Sequence, residues 1–272
     1  MKGNINMLSN IKIMFIDIDG TLAHDDENFS EYTKQILKKA ISMNKIAVLC
    51  SGRSNSDIIP KSKSANASSI VISSNGSLIF DYEKNIKIYE SPINNEAIKA
   101  IWELSKNNDI NITFNSTRAR FKSINSKKNG TIVTDLQQIN DNITQIVLDT
   151  KSEKVVEKVK KLINSYPDLE IKNFINQILN SPKIFEEGFE LDIANKESNK
   201  GNAINQLLKY LNLTKENAIC FGDRMNDYEM FEMCGISVAM ENASEGLKRK
   251  ASYVTLSNNN DGVAKFIEKY IL

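Results

Sequence analysis

Ile11-Lys12-Ile13-Met14-Phe15-Ile16-Asp17-Ile18-Asp19-Gly20-Thr21 is an apolar run that stops abruptly at two carboxylates, a glycine and a hydroxyl. Its residues are largely β-branched or aromatic, it is too short to span a bilayer, and Gly20 ends it, which predicts a buried central strand rather than a helix. In an extended strand residues i and i+2 point the same way. Asp17 and Asp19 are therefore expected on one face, where two carboxylates repel unless a cation or a proton holds them. A strand ending in an ordinary polar turn would use the same residues, so the rest of the chain must choose between a turn and a site.

Composition narrows the field. The chain has 272 residues, 41% of them hydrophobic, enough for one large or two smaller globular domains. Lys and Arg number 35 against 34 Asp and Glu, a formal charge of +1, so the overall balance asks for neither nucleic acid nor an anionic membrane as partner. Met1–Asn10 contains no apolar signal core, and no stretch offers about 18 uncharged apolar residues. A cytoplasmic protein is expected. Cys50, Cys220 and Cys234 form no CxxC pair and lie in apolar contexts, which reads as buried thiols.

Moving outward from the first strand, Ser30 is placed to cap a helix whose Tyr32, Ile36, Leu37, Ala40 and Ile41 line one face. Lys45–Cys50 is a second apolar strand, ending in Ser51-Gly52-Arg53-Ser54, and strand-helix-strand order implies a parallel pair. Ser51 then lies near Asp17, at the carboxyl ends of parallel strands where open α/β sheets place their ligands. Ser69–Ser73 ends similarly in Asn75-Gly76, a pair that also favours hairpin turns. From Lys84 to Glu186 the texture changes, with frequent Asn and Lys and no apolar run ending in a carboxylate and glycine. A helix (Glu96–Lys106), strands (Ile110–Phe114, Thr144–Leu148, Leu169–Phe174) and a further helix (Lys151–Tyr166) are predicted there. After Asp192 the first texture returns, with a helix at Gly201–Leu211, a strand Ala218–Phe221 running into Gly222-Asp223-Arg224-Met225-Asn226-Asp227, a strand at Ile236–Met240, and helices begun by Asn242 and Asp261. The fold class is α/β, a Rossmann-like parallel-sheet core of residues 1–84 and 187–272 with a smaller α+β domain, 85–186, inserted.

Hard oxygen donors such as Asp17 and Asp223 suit magnesium, whereas zinc would want His or Cys. His24 is the one histidine, and its polar loop reads as solvated.

Asp17-Ile18-Asp19-Gly20-Thr21, Ser51-Gly52-Arg53, Lys200-Gly201 and Gly222-Asp223 with Asn226-Asp227 together resemble the haloacid dehalogenase superfamily. Asn75-Gly76, Leu191-Asp192-Ile193 before Lys200, Ala239-Met240-Glu241-Asn242-Ala243 and Val254–Asn258 leading to Asp261-Gly262-Val263-Ala264 narrow the resemblance to Cof-type phosphatases, whose inserted domain is a cap. The loop Ala194–Asn199 departs from the pattern in lacking a glycine. The resemblance implies a magnesium-dependent phosphatase hydrolysing a small phosphorylated metabolite, a sugar phosphate or similar, through an aspartyl-phosphate. Asp17 is then the nucleophile and Asp19 the general acid and base, its pKa raised by the neighbouring carboxylate. Ser51, Gly52, Lys200 and Asn226 are expected at the phosphate, and Asp17, Asp19, Asp223 and Asp227 at the metal. Arg53, Asn75, Gly76, Arg118 and Arg120 are expected at the substrate. The alternatives are a phosphosugar mutase, whose fourth motif is normally longer, and a non-catalytic phospho-ligand-binding module, for which two intact acids would be superfluous. Nucleic acid and membrane are not expected as partners, and the molecule is expected to be a monomer or homodimer.

Overall fold

Strand β1, Ile13–Asp17, is buried along its whole length, as an apolar run without a polar face requires. It lies at the centre of an eight-stranded sheet ordered β14-β13-β12-β1-β2-β3-β4-β5. Its neighbours are β2, Ile46–Cys50, and β12, Ala218–Gly222, both parallel to it, with Asp17 in register with Cys50 and Ile16 with Phe221. The parallel set continues through β3, Ile70–Ser73, on one side and β13, Ile236–Ala239, and β14, Tyr253–Val254, on the other. β3 turns back through Ser74–Gly76 into antiparallel β4, Leu78–Asp81, and β5, Ile86–Glu90, forms the edge. The computed structural model describes residues 8–108, 110–176 and 188–272.

Helix α1, Glu31–Ser42, is capped by Ser30, whose side chain accepts from the Thr33 amide, and turns Ile36, Leu37 and Ala40 inward. α2, Asn55–Ser64, follows β2. Later in the chain come α5, Lys200–Tyr210, α6, Tyr228–Met233, α7, Glu245–Lys248, and α8, Gly262–Tyr270. Asn242 does not begin α7: Ser244 caps it, accepting from the Leu247 amide. Cys50, Cys220 and Cys234 are buried free thiols, as expected.

The chain divides into two compact units, the first containing residues up to Arg53, Asp57–Tyr89 and Asn199 onward, the second Ser54–Ser56 and the described part of Glu90–Ser198. The second has its own hydrophobic core and its own six-stranded sheet, β10-β11-β9-β6-β7-β8. These strands are β6, Ile110–Ser116, β7, Arg120–Lys122, β8, Thr131–Ile132, β9, Ile143–Thr150, β10, Leu169–Asn176, and β11, Phe189–Asn195. Its helices are α3, Asn95–Lys106, and α4, Glu153–Ile163.

Two boundaries differ from expectation. β5 carries the first sheet beyond residue 84. Leu191-Asp192-Ile193, read as part of the core, belongs to β11, which pairs antiparallel with β9 and β10 in the second sheet. The reason is visible in the strand itself: Phe189, Leu191 and Ile193 enter the second core while Glu190 and Asp192 face the other way, an alternation suited to a one-sided antiparallel sheet rather than a doubly covered parallel one. The expected boundary at 186/187 falls outside the described residues.

Candidate active site

β1 ends at Asp17, so the alternation expected to carry Asp19 onto the same face ends there too. The chain instead makes one wide turn in which the Thr21, Leu22 and Ala23 amides all donate to the Ile18 carbonyl, at 3.3, 3.1 and 2.9 Å. Gly20 occupies it with φ +83°, and a Cβ there would stand 2.4 Å from Asp223 Oδ2. Only glycine tolerates both the left-handed backbone and that approach. Thr21 donates its hydroxyl to Asp223 Oδ1 at 3.3 Å, which draws the stretches after β1 and β12 together.

Asp19 consequently meets Arg53 rather than Asp17. The guanidinium grips it with Nε to Oδ2 at 2.9 Å and Nη2 to Oδ1 at 2.6 Å, and Arg53 also reaches Glu27, as does Lys61. Partial burial works to raise the Asp19 pKa, but the hydrogen bonds and charge of Arg53, helped by Lys61 and Arg224, outweigh it and the pKa falls. The expected upward shift is thus reversed, because the near neighbour is a cation and not a carboxylate.

Asp17 finds its cation in Lys200. The ammonium, 2% exposed, donates to Asp17 Oδ1 at 2.6 Å and to Asp227 Oδ1 at 2.7 Å. Lys200 is delivered by the first turn of α5, whose N-cap Asn199 accepts from the Asn202 amide. Burial works against the lysine's charge, but the two carboxylates prevail and hold its pKa above the ordinary lysine value. Asp227 folds back so that its Oδ2 accepts from the Asp223 and Arg224 amides at 3.0 and 3.2 Å.

Positive charge is nevertheless short. Burial and then Asp227 raise Asp17 to about 7 against the pull of Lys200, with Asp223 adding to the rise. Burial and Asp227 likewise raise Asp223 to about 6, despite Arg224, Thr21 and Lys200. Asp17, Asp223 and Asp227 each offer an oxygen within 4.8 Å of the others. An all-oxygen set with unmet demand for positive charge fits a hard divalent cation such as Mg²⁺. The Asp19 carboxylate, counted with this group from sequence, is not in it.

The other expected residues divide. Ser51 is buried, its hydroxyl accepts from the Arg53 amide at 3.2 Å, and its carbonyl accepts from the Asn75 amide at 3.1 Å. Gly52 lies so close to Asn75 that a Cβ would be 2.8 Å from its Oδ1. Gly76, at φ +95°, packs where a Cβ would meet the Asn199 carbonyl at 2.2 Å. The loops after β2 and β3 therefore pack together, and the second abuts the start of α5 that presents Lys200. Asn226 is exposed. Arg118 and Arg120 belong to the second unit, where Arg118 is exposed and Arg120 donates Nε to Asn115 Oδ1 at 2.8 Å. His24 is not merely solvated, since its Nε2 lies 2.9 Å from Asp261 Oδ1. Sequence reasoning missed Glu27 and Lys61 behind Arg53 and gave Thr21 no partner; contacts between distant loops leave no periodicity to read.

Parallel strands that lead to Asp17 and Asp223, with a buried lysine between carboxylates, form the site of an α/β enzyme, and the relatives of the chain identify its class as a hydrolase of phosphoric monoesters. The sequence profile of the haloacid dehalogenase-like hydrolases matches residues 14–267, and the chain belongs to that family, as a Cof-type phosphatase. It is 26% identical over 262 residues to the 5-amino-6-(5-phospho-D-ribitylamino)uracil phosphatase YcsE of Bacillus subtilis, covering 96% of both chains. A haloacid dehalogenase-like hydrolase from Bacteroides thetaiotaomicron superposes with a TM-score of 0.81 at 25% identity, covering 95% of this chain and 99% of that one. The subclass IIB sugar phosphatase BT4131 shares the fold, with a TM-score of 0.74 at 23% identity over 96% of this chain and 100% of that one. Among the described residues no helix is long and apolar enough to cross a membrane.

Proposed function

We propose that this chain is a Mg²⁺-dependent phosphatase that hydrolyses a small phosphorylated sugar or polyol through an aspartyl-phosphate on Asp17. The observation that carries the reading is the buried Lys200 shared by Asp17 and Asp227, beside an Asp223 that lacks a lysine of its own. Lys200 fixes Asp17 through Oδ1, leaving Oδ2 as the oxygen to attack phosphorus. The P–O bond to the leaving group breaks as the Asp17–phosphorus bond forms, and water then attacks the acyl phosphate to restore the carboxylate. Mg²⁺ held by Asp17, Asp223 and Asp227 would supply charge neutralisation at the phosphoryl oxygens. Ser51 and the amides after it would receive those oxygens.

Asp19 moves the proton. In the grip of Arg53 it is an ionised carboxylate, the form that accepts a proton from the attacking water. For it to donate to the leaving alkoxide, the incoming phosphate dianion must compete for Arg53, which loosens the pair and raises the carboxyl's affinity for a proton. The substrate class rests on the phosphoribityl compound named for the Bacillus relative and on the fold shared with a sugar phosphatase.

Turnover of 4-nitrophenyl phosphate and of alkyl phosphates in Mg²⁺ tests the assignment. Asp17→Asn should lose all activity, on the order of 10⁴-fold or more, and survival of activity would remove the nucleophile. Asp19→Asn should lose far more on alkyl phosphates, whose leaving groups need a proton, than on the aryl ester, and equal losses would remove the acid.

A further inference from the structure

Two segments singled out in the sequence, around Asn242 and around Asn258, lie outside the reactions just described, yet both terminate on the turn that carries Asp19. Asn242 donates its side-chain amide to the Gly20 carbonyl at 2.7 Å. Its own side-chain oxygen accepts from the Asn258 backbone amide at 3.0 Å. Asn258, 3% exposed, spends its side-chain amide on the Ala23 carbonyl at 3.0 Å and on Asp25 Oδ1 at 2.9 Å. Asn259 ties Asp25 again, donating to Oδ2 at 2.8 Å and accepting from the Asp25 amide at 3.0 Å.

The pattern is selective. Within the turn, three amides converge on the Ile18 carbonyl, which ties its entrance to its exit. The Gly20 and Ala23 carbonyls, which bracket the exit, are held by side-chain amides reaching in from more than 200 positions away, with separations of 222 and 235. Asp19 forms a bridge with Ala23, and its own carbonyl leads directly into Gly20. Fastening the Gly20 carbonyl fixes the peptide plane that follows the residue after Asp19, and fastening the Ala23 carbonyl holds the residue that Asp19 bridges, so both limit the acid's backbone and with it the direction in which its side chain leaves.

We propose that Asn258 and Asn242 form a brace that positions Asp19 for proton transfer, as positioning residues that touch neither substrate nor the reacting atoms. The proposal rests on the reading of Asp19 as the general acid. A proton must pass across a short hydrogen bond, and an ångström of misplacement costs up to about a hundredfold, whereas the Asp17 side chain, at the end of β1, is fixed by Lys200, and any effect of the turn on Asp17 or Asp223 falls on alkyl and aryl esters alike. Loss of the brace therefore harms substrates in proportion to their need for an acid.

The experiment compares kcat/KM for an alkyl phosphate with that for 4-nitrophenyl phosphate, in Mg²⁺, for the wild-type protein and for Asn242→Ala, Asn258→Ala, Asn258→Asp and Asn259→Ala, with Asp19→Asn beside them. Asn258→Asp keeps the shape but lacks the N–H donors, so it serves where the alanine variant fails to fold. The expected result is that the alkyl-to-aryl ratio falls about tenfold in the Asn242 and Asn258 variants, in the direction of Asp19→Asn, and stays at the wild-type value in Asn259→Ala. Amide hydrogen exchange at Thr21, Leu22 and Ala23, measured without substrate, should quicken about tenfold in the same variants. A wild-type ratio in the Asn242 and Asn258 variants despite faster exchange would overturn the proposal, as would unchanged exchange. If Asp19→Asn itself left the ratio untouched, the acid assignment would fall, while the brace on the turn would still be decided by the exchange rates alone.

Discussion

Lys200 holds two carboxylates at 2.6 and 2.7 Å while almost wholly withdrawn from water. A buried cation of this kind is retained because its removal strands the acids, not because the pair is a bargain against an apolar packing. Lys200→Met is therefore expected to destabilise the protein by about 3–5 kcal/mol at pH 8, read by urea unfolding, and to lower kcat at least about a hundredfold, since it also removes charge opposite the phosphoryl oxygens. Unchanged stability would show that Asp17 and Asp227 do not depend on the lysine. At this scale the sequence was most legible where a residue's role follows from its place at a strand end, as for Asp17, Ser51 and Asp223. It misled at Asp19, because the alternation rule holds only while the strand continues, and β1 stops two residues earlier. Arg53, 34 positions away, decides that carboxylate's protonation, and no local pattern announces such a partner.

Strands buried on both faces were easy to recognise, because nothing but a continuous apolar run can fill them; β1, β2, β3 and β12 all declared themselves in this way. The second sheet was harder. Its strands were mostly found, yet the membership of β11 was not, since proximity in sequence to Lys200 argued for one sheet and the alternation of the strand for the other. That alternation leaves Asp192 on the polar face, buried and accepting from Gln145 Nε2 at 2.8 Å. Burial raises its pKa to about 7, against the Gln145 bond. The folded state thus binds a proton that the unfolded chain, with its ordinary carboxyl near 3.8, has already released, so this residue's stabilising contribution is whole below pH 4 and is lost as pH rises toward 7. Asp192→Asn keeps an acceptor for Gln145 and removes the titration. Relative to the wild type, its unfolding free energy is expected to improve as pH rises from 4 to 8, by on the order of 3 kcal/mol across the window. Denaturant unfolding at pH 4, 6 and 8 measures this, and a difference independent of pH would refute it.

For the molecule as a whole, a net charge of +1 conceals a strong local imbalance: Asp17 meets Asp223 and Asp227 from more than 200 residues away, and the one buried lysine there bonds only Asp17 and Asp227. The convergence could be inferred from parallel strands that end at a common edge, but the size of the imbalance could not, since it depends on how thoroughly each acid is buried. Without a bound cation, protons are the only remedy, and carboxyls raised to about 7 and about 6 at Asp17 and Asp223 make the metal-free protein lose stability as pH rises from about 4 to 7. On the proposed reading Mg²⁺ would compete for the same oxygens and bind the folded arrangement alone. At a hundred times its dissociation constant it contributes about 2.7 kcal/mol, which for a unit of this size corresponds to a rise of about 5–10 °C in the thermal midpoint. The rise should be larger at pH 8 than at pH 5.5, because at the lower pH protons already occupy Asp17 and Asp223 and must be displaced. Thermal scans with Mg²⁺ and with chelator at both values provide the measurement, and Asp223→Asn should abolish the difference; a shift that persists in that variant, or that grows as pH falls, would place the ion elsewhere.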